Sequence, residues 1–140
     1  LGLSGVREIH SGEDFTCALV VDGMVFCWGS GASGRLGNGS TMSSSRPVAV
    51  NADLRFAHVR AGSAYVCGLS TDGRASCWGE NNLSNLGDGT EESRTRPVLA
   101  VGGDTFQAIG GSCAVRASGE MVCWGMDLNQ RNARFGNSNR

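Results

Sequence analysis

The chain repeats itself every 50 residues, and no other feature constrains its fold as tightly. Ile9 recurs as Val59, Gly12 as Gly62, Cys17 as Cys67, Cys27 as Cys77, Trp28 as Trp78 and Pro47 as Pro97. A third copy runs from Ile109 through Cys113, Cys123, Trp124 and Gly125, with four residues missing after Ile109. A fixed period of this size marks stacked supersecondary units, none of which can bury its apolar face without a neighbour. Each copy reads as four short strands. The first is Val6 to Ile9, or Phe56 to Val59, ahead of a glycine; a hairpin follows, turning at Asp22-Gly23, Asp72-Gly73 or Ser118-Gly119. These pairs supply the positive φ of a tight turn. A glycine-rich loop comes next, and then Arg-Pro-Val, whose proline suits an edge strand or the first position of a strand. Four strands per ~50 residues is the grammar of a propeller blade. The 22 glycines among 140 residues fit many tight turns and argue against long helices.

The runs Cys-Ala-Leu, Asp-Gly, Val-Phe-Cys-Trp-Gly, Leu-Gly-Asn-Gly-Ser and Arg-Pro-Val resemble repeats of the regulator of chromosome condensation family. The resemblance covers nearly the whole chain and implies a closed β-propeller, usually of seven blades. The expected fold is therefore all-β: about three four-stranded blades of such a propeller, incomplete as an isolated chain. Residues 1–5 read as the end of a preceding repeat, 6–55 as blade 1, 56–105 as blade 2, and 106–140 as a partial, divergent blade 3 in which Phe135-Gly136-Asn137 echoes Leu36-Gly37-Asn38. Seven copies would need about 350 residues, so the chain is expected to be an arc of a longer propeller, or to assemble with other chains, and to form no stable lone monomer.

Each copy holds one cysteine pair ten residues apart: Cys17 with Cys27, Cys67 with Cys77, and Cys113 with Cys123. A three-residue turn such as Val21-Asp22-Gly23 sets Cys17 opposite Cys27 on adjacent strands, within disulfide reach. Of the 15 pairings six cysteines allow, the repeat selects this one. The alternatives are buried free thiols and, less in keeping with the spacing, zinc. With bridges, the expected location is extracellular or at the cell surface. Two sequons, at Asn38 and Asn82, fall in the glycine-rich loops and are candidate N-glycosylation sites.

No catalytic or metal-binding set stands out. There is no G-x-S-x-G elbow, and His10 and His58 occupy non-equivalent repeat positions. The acidic run at Asp88 to Glu92 lacks the alternating ligands of a calcium loop. Neither a catalytic residue, a metal nor a cofactor is expected, and the ligand stays unassigned. All twelve basic residues are arginines balanced by thirteen acids, so nucleic acid is a poor partner, and no apolar run reaches the ~18 residues of a membrane span. Trp28, Trp78 and Trp124 are read as blade core or inter-blade packing, with sugar-stacking platforms as the alternative. Arg46 and Arg96 are read as solvated or salt-bridged at a strand start. The resemblance implies a scaffold. The family's namesake activity, nucleotide exchange on a nuclear GTPase, belongs to loops and a wedge not identified here. The leading expectation is a non-catalytic interaction or structural module that meets a protein, or further blades, through loops 29–45 and 79–94. A carbohydrate-binding propeller and an exchange factor are the alternatives.

Overall fold

A computed structural model describes residues 2–50 and 53–125, so Phe135-Gly136-Asn137 lies outside the described residues. The described residues form three antiparallel sheets. The first takes β1 (Val6–Ser11), β2 (Phe15–Val20), β3 (Val25–Gly29) and β4 (Ser44–Ala49) in that order. The second repeats the order with β5 (Phe56–Ala61), β6 (Tyr65–Ser70), β7 (Ala75–Gly79) and β8 (Arg94–Leu99). The third holds β9 (Ala108–Ile109), β10 (Cys113–Val115) and β11 (Met121–Cys123). No helix among the described residues is long and apolar enough to cross a membrane.

The hairpin turns form as their residues dictate. Gly23, Gly73 and Gly119 adopt φ near 90°, and each donates its N–H back to the residue three before it. A three-residue loop of this kind sets the register, so Cys17 pairs with Cys27, Cys67 with Cys77 and Cys113 with Cys123. All three pairs are joined as disulfides, with Cα atoms 4.0–4.1 Å apart. Pro47 and Pro97 lie on β4 and β8, edge strands that pair on one side only. There a missing N–H costs no ladder bond.

The core lies between blades. Phe15, Cys17, Leu19, Val25 and Cys27 of blade 1 pack against Phe56, Val59, Val66 and Trp78 of blade 2. The opposite face of blade 2, through Cys67, Leu69, Ala75 and Cys77, meets Ile109, Ala114, Val122 and Trp124 of blade 3 in the same way. β1 touches β5 and β5 touches β9, so the first strands of successive blades converge on one side, where the axis of a propeller runs.

Candidate functional site

Two bulges shape the converging strands. The pairing of β1 with β2 slips between Val6 and Glu8, and that of β5 with β6 slips between Phe56 and His58. A bulge re-aims the residues after it. Here it lets both Phe56 and Val59 face blade 1, and it sends the Glu8 side chain across the seam. One Glu8 carboxylate oxygen accepts the Val59 N–H at 3.1 Å and the Arg60 guanidinium at 3.4 Å, while the other meets His58 Nδ1 at 2.8 Å. His10 lies 3.7 Å away on the same strand. Val59 would otherwise present an unpaired N–H on the open edge of its sheet, and an acid from the neighbouring blade satisfies it. The two histidines, which hold non-equivalent repeat positions, thus belong to an inter-blade cluster. Glu8 gave no signal of its own, because the repeat places His58 at its equivalent position.

Burial pushes the Glu8 carboxyl up. The hydrogen bonds from His58 and Val59 and the charges of His58 and Arg60 more than offset that, and hold its pKa below the ordinary glutamate value. A carboxyl depressed in the folded state stabilises above its unfolded pKa, and this contribution is lost as pH falls through the folded value. Glu8→Gln is therefore expected to destabilise the chain by about 1 kcal/mol at pH 7. The gap to the parent should shrink as pH drops below the ordinary glutamate range, which urea unfolding at several pH values would show.

The tryptophans occupy equivalent seats with unequal cover. Trp78 is 0% and Trp124 3% exposed, whereas Trp28 is only half-buried. What covers the first two is the glycine-rich loop of the preceding blade. A Cβ on Gly37 would lie 2.7 Å from Trp78 Nε1, and one on Gly87 would lie 2.9 Å from the Trp124 ring. Only glycine allows this approach, and both adopt φ near +70°. Leu36 and Leu86, beside these glycines, are fully buried. Trp124 also donates its indole N–H to the Asn85 carbonyl at 2.8 Å, while the Trp78 indole nitrogen is buried without a hydrogen-bond partner among the described residues. Buried in the seams, Trp78 and Trp124 offer no platform for a sugar.

The two loops are braced differently. Arg35, 7% exposed, reaches Asp14 at 2.8 Å within blade 1 and Glu80 of blade 2 at 3.6 Å. In the second loop a fully buried Asn81 donates to Asp88, Thr90 and the Glu92 carbonyl and accepts the Leu86 N–H. Asp88 also binds Thr90 and, at 3.0 Å, Arg94. Burial raises the Asp88 carboxyl, and these donors outweigh it and hold it low. The acidic run is thus a loop brace, and no metal-holding group of three ligands occurs among the described residues. Asn81 was not singled out from sequence; its only signal is that blade 1 has Gly31 at the same place. Asn38 is half-buried and accepts the Ser40 N–H, whereas Asn82 is exposed. Arg46 and Arg96 are exposed, and Gly39 packs beside the Arg96 guanidinium.

Profiles of the regulator of chromosome condensation (RCC1) repeat match residues 22–69 and 6–35. The human E3 ubiquitin-protein ligase HERC2 is 46% identical over 44 residues, which is 31% of this chain and 1% of HERC2. Among solved structures, human WBSCR16 superposes with a TM-score of 0.78 at 23% identity, over 93% of this chain and 37% of that one. Prp20p of Saccharomyces cerevisiae, crystallised in work on its binding to Gsp1p and histones, gives 0.71 at 22% identity over 89% and 34%. The ectodomain of the Physcomitrella patens receptor kinase CR4 gives 0.57 at 20% identity over 88% and 31%. At these identities the likeness is one of fold, and the chain spans about a third of each structure's length.

Proposed function

A member of the regulator of chromosome condensation repeat family, folded as neighbouring β-propeller blades, this chain is, we propose, a non-catalytic extracellular scaffold that works by binding protein. Its first partner is another repeat of the same kind, either earlier in a longer chain or on a second chain. One observation carries this reading. Ile9 of blade 1 is 60% exposed, yet its equivalents Val59 and Ile109 are 0% and 7% exposed because a preceding blade covers them. Val6 is also exposed on this face, Trp28 is half-covered, and a cleft of about 500 Å³ opens beside Phe26 and Arg46. An apolar face that two sister blades bury in the same way is suited to the same cover. The cover it calls for is a loop with a leucine and a glycine over the indole, as Leu36-Gly37 and Leu86-Gly87 provide.

Three disulfides support an oxidising compartment. The fold is shared with a receptor-kinase ectodomain as well as with the partner-binding Prp20p. Loops 29–45 and 79–94, braced by Arg35 and Asn81, are the surfaces for an outside protein partner.

The natural protein, isolated from its source, tests the reading twice. Its denatured mass should rise by six hydrogens across this segment on reduction, and hydroxyl-radical footprinting of the folded protein, read by peptide mass mapping, should oxidise Trp28 no more than Trp78 or Trp124. Thiols reactive before reduction would overturn the extracellular assignment, and a Trp28 that oxidises much faster than Trp78 and Trp124 in the natural protein would overturn the repeat partner.

A further inference from the structure

Blade 2 carries a cleft of about 290 Å³ lined by Leu54, Ser70, Asp72, Arg74, Ser76, Pro97 and Leu99. It lies on the face turned toward blade 1, at a seam that is already complete, so it does not depend on the uncovered face of blade 1. The seat at its wall is apolar in the sister blades. Ser76 pairs across the hairpin with Gly68, where the equivalent pairs are Phe26 with Ala18 and Val122 with Ala114. Ser76 is 3% exposed and lines the cleft, yet its hydroxyl has no hydrogen-bond partner among the described residues. The residue is buried but its hydroxyl oxygen is open to the cleft, where a ligand atom can reach it.

Arg74 is exposed at the same cleft, and its guanidinium makes no ion pair or side-chain hydrogen bond among the described residues. Blade 1 has Met24 there and blade 3 has Glu120. The acid beside it is engaged in the turn: Asp72 accepts the Ser70 hydroxyl, as Asp22 of blade 1 accepts the Met24 N–H. The Asp72 and Arg74 charges also act on each other, but the Arg74 guanidinium N–H donors and the Ser76 hydroxyl have no hydrogen-bond partner among the described residues and are set among Leu54, Pro97 and Leu99. Guanidinium is suited to carboxylate through paired N–H donors, and a volume near 300 Å³ admits a small group.

We infer that this cleft binds a carboxylate on a short branched aliphatic stem, with Arg74 and Ser76 holding the carboxylate and Leu54, Pro97 and Leu99 the stem. That chemistry is shared by a free branched-chain acid and by the C-terminus of a peptide ending in leucine.

Amide chemical shifts of the full chain, titrated with 4-methylpentanoate and with 4-methylpentanamide, test the assignment. The acid should shift Leu54, Ser76 and Leu99 saturably, and the amide should bind about tenfold or more weakly. Arg74→Gln should weaken the acid by a similar factor, and Ser76→Phe, which copies blade 1, should abolish its binding. Ser76→Ala, a milder change, should weaken binding with the spectrum otherwise kept. Acetyl-Gly-Gly-Leu with a free C-terminus, set against its amidated form, separates the two sources: tighter binding than 4-methylpentanoate assigns a peptide end, and weaker binding assigns a free acid. Equal affinity for acid and amide, unaltered affinity in Arg74→Gln, or no saturable shift at millimolar acid would overturn the inference.

Discussion

Trp78→Ala is expected to destabilise this chain by about 3–5 kcal/mol, the range for deleting a buried large aromatic side chain. Trp78 is the largest fully buried side chain among the described residues, 5.8 Å from the Phe56 ring, with Gly37 of the neighbouring blade lying against its indole. Removing it hollows the seam between blades 1 and 2 rather than the interior of one blade. The informative control is Trp28→Ala, the same change at the equivalent position. In this chain Trp28 is half-buried, so its removal should cost well under half as much in guanidinium unfolding. In a protein that supplies a preceding blade, the cost of the two substitutions should converge. Equal costs in the present chain would mean that the Gly37 seat contributes little and that stability resides within blades.

The second large effect comes from the bridges. Replacing Cys67 and Cys77 together by alanine removes the constraint on a short hairpin loop and should cost roughly 2–3 kcal/mol, a little under the value for a 15-residue loop. Packing adds to this figure, because both cysteines are 0% exposed within the seam to blade 3. The bridges should also differ in access. Cys17–Cys27 and Cys67–Cys77 are fully buried between blades, whereas Cys113 and Cys123 are half-buried. Mild reductant without denaturant, followed by alkylation and peptide mapping, should label Cys113 and Cys123 first. Simultaneous labelling of all six would show that the seams open as readily as the outer face and would contradict the packing described here.

Both effects turn on positions that the repeat makes visible. The 50-residue period, the Asp-Gly turns and the cysteine spacing suffice to place the strands and to set the facing cysteines, because each depends on residues within one hairpin. Pro47 and Pro97 are readable as residues of an edge strand or of a strand start, and the sheet order decides for the edge. Glu8 is different. Its role needs a bulge at Arg7 that turns its side chain outward, and a neighbouring blade that presents the Val59 N–H. Asn81 is different for a similar reason: its partners, Leu86, Asp88, Thr90 and Glu92, are brought together only when the loop closes on itself.

The blade count and hairpin register were determined by sequence alone, since local turn chemistry and a two-residue side-chain alternation act over a few residues. Which tryptophan is covered, which acid crosses a seam and which serine lines a cleft were decided by tertiary structure. These depend on the distance between blades, and that distance is set by side chains some 50 residues apart packing against each other.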